Sequence, residues 1–161
     1  GRLGWYLPTD GEVDLEGAVA TLRSGGWELL LPVVGPGRSM TFATWGPDIA
    51  VAPNQYGIPE PEHEPGDLVT ATVLDAVVVP CVALDRAGHR LGFGAGYYDR
   101  ALADARRTVR IGVAFEVQVV PHVEPAPWDV PLDVVVTETG VHRLDAHDPG
   151  RPVDGPGDRD R

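Results

Sequence analysis

The chain has 161 residues, with 24 acidic side chains against 13 basic ones and a formal net charge of -11. That balance argues against a nucleic-acid surface, which needs a basic stripe to displace phosphate counterions. Nothing approaches the roughly 20 apolar residues of a membrane span or a basic-then-apolar leader, and a hydrophobic content of 43% suits one core of ordinary size. The expectation is a soluble, cytoplasmic protein, a single domain over residues 1–144 with a disordered tail over 145–161, where almost no apolar residue occurs.

Trp5, Tyr6 and Leu7 read like a strand already under way when the chain opens at Gly1. Asp14 is placed to cap a helix with Leu15, Val19 and Leu22 on one face, and Gly25 with Gly26 stops it. Trp27 to Val34 is apolar without alternation, as in a strand covered on both faces. Strand, helix and buried strand in that order predict a crossover unit of an α/β sheet. Ser39 to Trp45 reads as a further strand, turned by Gly46, Pro47 and Asp48. The stretch from Asn54 to Asp67 carries three prolines and is expected to be a surface loop without regular structure. Ala76 to Pro80 is the clearest buried strand, and Asp85 to Gly88 a turn after it. A glycine-rich stretch, Arg90 to Gly96, then leads into a helix predicted over Tyr97 to Arg106. Val109 to Phe115 and Asp133 to Thr137 are the remaining strands, separated by an irregular segment from Pro121 to Pro131. Together these predict a three-layer α/β/α sandwich around a mostly parallel sheet.

All basic side chains are arginine, so a Schiff base or a Walker-type phosphate lysine is excluded within this chain. The single cysteine, Cys81, lies in an apolar run and reads as a buried small hydrophobe. His63, His89, His122, His142 and His147 show no metal spacing, and Ser24 and Ser39 lack the setting of a hydrolase nucleophile. Gly92, Gly94 and Gly96 demand explanation. At alternate positions before a helix they let the backbone approach a ligand and aim N–H groups at an anion, or they serve a hairpin or tight packing. The dinucleotide fingerprint is not met, because Tyr97 stands where its third glycine belongs. Arg90 and Arg100 flank the turn. Asp99 either partners the helix dipole or holds Mg²⁺ against phosphates, and Asp129 and Asp133 are turn-formers or ligands.

The run Val78 to Asp85, then Gly88 to Arg100 with its R-L-G-x-G-x-G-Y-Y-D core, Ile111 to Phe115, Gln118 to Pro121, and Trp128-Asp129 followed by Leu132 to Glu138 together resemble the 5-formyltetrahydrofolate cyclo-ligase family. The resemblance extends from about Leu3 to about Leu144, and the ordered set is far more specific than any one motif. It implies an ATP- and Mg²⁺-dependent cyclisation of 5-formyltetrahydrofolate to 5,10-methenyltetrahydrofolate, by way of an imidate phosphate, with ADP and phosphate released. By that resemblance Arg90, Leu91, Gly92, Phe93, Gly94, Ala95, Gly96, Tyr97 and Tyr98 wrap the ATP phosphates, and Tyr97 approaches the formyl group. Asp99 and Asp129 bind Mg²⁺, and Leu7 and Glu12 of a Y-L-x-x-x-x-E stretch contact the reduced folate. No catalytic nucleophile is implied, the protein is expected to be a monomer, and neither nucleic acid nor membrane is a partner. Two positions depart from the pattern: Phe93 stands where the family often has arginine, and Ala95 where lysine or glycine is frequent. The family usually begins several dozen residues earlier with a basic helix, so the resemblance also implies an N-terminal truncation. The other reading is a non-catalytic folate- or nucleotide-binding homologue of the same fold.

Overall fold

The structure, a computed structural model, describes residues 1–9 and 11–144; the tail expected to be disordered lies outside them. In chain order the strands are β1 (Arg2–Gly4), β2 (Glu28–Val34), β3 (Met40–Thr44), β4 (Val51–Pro53), β5 (Pro59–Pro61), β6 (Ala76–Pro80), β7 (Ala83–Leu84), β8 (Arg90–Leu91), β9 (Val109–Val113), β10 (Val134–Thr137) and β11 (Gly140–Arg143), with helices α1 (Glu16–Ser24) and α2 (Tyr97–Leu102). Seven strands form one sheet in the order β11-β10-β9-β6-β1-β2-β3. Its four interior pairings are parallel, while β3 and β11 add antiparallel edges.

Burial on both faces explains why the parallel strands lack alternation. Leu29 and Leu31 of β2 enter one core with Leu3, Ala76 and Val78, covered by Ala18, Val19 and Leu22 of α1. Leu30, between them, enters the opposite core with Phe42, Val77, Val79 and Leu102 of α2. Side chains of one strand alternate between faces, so a strand between two helical layers must be apolar at every position. This is the expected α/β/α arrangement. The N-cap of α1 is Leu15, not the expected Asp14, which stands one residue earlier and accepts the Glu16 amide at 2.8 Å.

Four further expectations need correction. The strand expected at Trp5, Tyr6 and Leu7 instead ends just before them, as β1 over Arg2–Gly4. The proline-rich stretch is not irregular throughout: β4 and β5 pair antiparallel, Val51 with Pro61 and Pro53 with Pro59. Only a two-stranded ribbon tolerates so many residues without an N–H donor. The helix expected to reach Arg106 stops at Leu102, and a turn at Ala105 feeds β9. The hairpin β10–β11 was not anticipated; its second strand, GVHR, is mostly polar and covers only a sheet edge. No helix among the described residues is long and apolar enough to cross a membrane.

Candidate functional site at the carboxyl end of the sheet

Strand order reverses direction between β1 and β6. From β1 the chain crosses to β2 on one side, whereas β6 continues to β9 and β10 on the other. Crossovers that diverge from neighbouring strands leave a crevice beyond their carboxyl ends, where α/β folds bind ligands. Two segments lead towards it: residues 5–9 after β1, and Cys81 with the β7–β8 hairpin after β6.

The crevice brings together residues far apart in sequence. The Glu12 carboxylate acts electrostatically on Tyr6, Cys81 and Tyr98, and the Arg90 guanidinium on Cys81 and Tyr98. Removal from water and then Glu12 push the Tyr6 and Tyr98 phenols well above their usual range, so both stay neutral donors. Tyr6 donates to the Val13 carbonyl at 2.6 Å, and Glu12 accepts from the Thr9 amide and hydroxyl at 2.8 and 3.0 Å, closing the turn that presents it. Leu7 packs half-buried against the α1-side core. Of the implied folate residues, Glu12 thus lies near enough to Tyr98 to act on it, whereas Leu7 packs in the α1-side core.

Burial pushes the Cys81 thiol up to about 12. At pH 8 about one molecule in ten thousand would carry the thiolate. Native protein should therefore resist iodoacetamide, with one thiol appearing only on denaturation. Rapid alkylation of the folded chain would contradict the buried placement.

The loop 92–96 runs from β8 to α2. Gly94 and Gly96 have φ of +85° and +68°, the left-handed region that an L side chain rarely adopts, and a Cβ on Gly96 would stand 3.0 Å from Arg100 Nη1. Arg100 folds back under the loop, its Nη1 donating to the Ala95 carbonyl at 2.8 Å and the Gly96 carbonyl at 3.1 Å. In a trans peptide the N–H points away from the C=O, so these two bonds turn the Gly96 and Tyr97 amides to the opposite side. Among the described residues, no backbone carbonyl accepts from the amides of residues 92–96. A run of exposed amides in glycine-permitted backbone is an anion cradle. Leu91 and Phe93 project from it, 54% and 71% exposed.

Arg90 serves this loop from behind. Its side chain, only 5% exposed, donates from Nη2 to Asp99 Oδ1 at 2.7 Å and from Nη1 to the Val130 carbonyl at 2.9 Å. The Val130 amide donates to the same Asp99 oxygen at 3.1 Å. Asp129, next in chain, accepts the Ala126 amide at 2.9 Å through Oδ2. Asp99 of α2 is thus bonded to the residue that follows Asp129, and each of the two aspartates implied as metal ligands spends one oxygen on the protein. Asp99 Oδ2 and Asp129 Oδ1 carry no hydrogen bond to the described residues. No group of three His, Cys, Asp or Glu side chains there suffices to hold a metal. Two carboxylates beside an anion cradle do fit Mg²⁺, which takes one or two protein oxygens and completes its shell with phosphates and water.

Sequence reasoning singled out the loop but missed the inward turn of Arg90 and the brace formed by Arg100. Only their flanking of the glycines hinted at either role. It also missed Tyr6 and Cys81 as crevice neighbours.

A mostly parallel sheet covered on both faces, with a switch point at β1 and β6 and a glycine-rich loop near its carboxyl end, defines the chain as an α/β protein. The sequence comparisons narrow that class. Residues 1–138 match the 5-formyltetrahydrofolate cyclo-ligase family, and the chain belongs to this family of ligases. It is 34% identical over 140 residues to the 5-formyltetrahydrofolate cyclo-ligase of Escherichia coli K12, covering 84% of this chain and 77% of that protein. The Mycolicibacterium smegmatis protein of the same name is 32% identical over 138 residues, covering 82% and 71%. Among solved structures, the NMR structure of Aquifex aeolicus 5,10-methenyltetrahydrofolate synthetase superposes with a TM-score of 0.75 at 35% identity, covering 99% of this chain and 78% of that one.

Proposed function

We infer that the protein cyclises 5-formyltetrahydrofolate to 5,10-methenyltetrahydrofolate at the expense of ATP, acting as a monomer in the cytoplasm. The observation that carries this reading is the loop 92–96, whose amides find no acceptor among the described residues, near the switch point of the sheet in a chain of the cyclo-ligase family. The formyl oxygen attacks the γ-phosphorus and ADP leaves. N10 then attacks the activated carbon, and the former formyl oxygen departs within inorganic phosphate.

Such a sequence needs no protein nucleophile, only positioning and charge neutralisation. The loop amides and the Tyr97 N–H receive the phosphates, and the arginine pair beneath keeps the loop in shape. Asp99 and Asp129 would hold Mg²⁺, which neutralises phosphate charge when bound. Glu12 and Leu7 orient the folate from the β1 side, and the neutral Tyr98 phenol keeps a negative group away from the transferring phosphate. Mixing the protein with ATP, Mg²⁺ and 5-formyltetrahydrofolate should give the absorbance rise of methenyltetrahydrofolate, dependent on both ATP and metal. Calorimetric binding of ATP and folate with no absorbance change would favour the non-catalytic reading instead.

A further inference from the structure

Behind the loop lies a second carboxylate junction that the proposed chemistry does not use. Asp85, 1% exposed, begins the turn between β7 and β8. Its Oδ1 accepts the Ala87 and His89 amides, both at 2.9 Å. Its Oδ2 lies 3.0 Å from the Val123 amide, which donates to it, 3.0 Å from His89 Nδ1 and 3.8 Å from His122 Nδ1. Burial alone would raise this carboxyl, but the Val123 and His89 bonds outweigh it and hold the acid below its usual range. The same two segments meet again where Leu132 N–H donates to Gly88 C=O at 2.9 Å and where Arg90 grips Val130.

One oxygen of Asp85 therefore folds the hairpin that launches the glycine loop, and the other fastens that hairpin to the segment carrying Asp129. We propose that Asp85 is a positioning residue: its buried carboxylate sets the glycine loop in register with the 121–131 segment, so that loop amides and Asp129 face one phosphate. The register rests on the reading of the loop as a phosphate site. Asp85 itself touches no reactant; it acts through the Val123 amide on one side and through the His89 backbone amide, and the Arg90 that follows it, on the other.

Asparagine is nearly isosteric but cannot serve both sides. Whichever way its amide turns, an NH₂ meets a backbone N–H. In the Asp85→Asn protein, kcat/KM for ATP should fall about 10²-fold, the loss expected of a misplacement near 1 Å, at a temperature where circular dichroism shows the chain folded. Hydrogen exchange should quicken at the Val82 amide, bonded to Leu91 at the foot of the loop, and at the Asp129 and Val130 amides of the other segment, while β6 and β9 stay protected. His89→Ala, which leaves the Val123 bond, should change kcat/KM less than about threefold, because the turn and the tie persist. If Asp85→Asn lowers only the melting temperature, with kcat/KM and exchange at Val82, Asp129 and Val130 unchanged, the residue serves the fold alone and the proposal falls. An inactive wild-type protein would remove the proposed reaction instead. The exchange pattern then decides this inference by itself: quickening in both segments supports it, and quickening confined to 85–89 overturns it.

Discussion

Replacing Asp99 with asparagine should lower kcat/KM for methenyltetrahydrofolate formation by about two to three orders of magnitude, comparable to deleting one charge-stabilising group from a preorganised site. The fold should survive, because the asparagine oxygen can still accept from Arg90 Nη2 and the Val130 amide, which Asp99 Oδ1 accepts now at 2.7 and 3.1 Å. What disappears is the negative charge that balances a nearly buried guanidinium and offers an oxygen to Mg²⁺. Adding metal should not restore the rate, since the variant lacks the charge and not the ion. Steady-state kinetics at saturating folate, with a thermal melt as the control for folding, read both effects. An unchanged rate would reject the metal role of Asp99 while leaving the loop amides as phosphate donors.

The largest expected stability effect lies away from the site. Arg110 of β9 is buried, and Asp133 Oδ2 accepts from both its backbone N–H at 2.7 Å and its Nε at 2.8 Å, while Oδ1 accepts from Nη2 at 2.9 Å. Removing one member of such a pair withdraws the counter-charge from a group already out of water, which typically costs 3–5 kcal/mol. Asp133→Ala should lower unfolding free energy by about that amount in a urea titration. Replacing both residues with apolar ones of similar volume should cost much less, because no uncompensated charge is left behind. A loss below about 1 kcal/mol for the single variant would place the pair in the class of screened surface bridges. The sequence suggested a turn-former or a ligand at Asp133; its burial and its partner 23 residues away give it this role instead.

The glycine loop was legible because its requirement is local. Positive φ at Gly94 and Gly96 and amides bared for an anion depend on the residues themselves. The unbroken apolar runs of β2 and β6 likewise announce strands buried on both faces, and Asp14 a helix start. What stayed hidden were partnerships across sequence. Arg90 reads equally well as a phosphate ligand or a structural cation, and only packing shows it turned onto Asp99 and Val130. The β4–β5 ribbon escaped detection because its prolines argue against any strand that must donate hydrogen bonds on both sides, a demand that an isolated pair never makes.

By itself, then, the chain of letters settled the α/β class, the buried strands β2, β6, β9 and β10 and the place of the glycine loop, since periodicity, glycine conformation and motif order reside in neighbouring residues. Which strands lie side by side, and hence where the sheet reverses and opens a crevice, was decided only in three dimensions. There, burial makes distant charges such as Glu12 and Tyr98, or Asp85 and the Val123 amide, neighbours in a medium where each must find its partner.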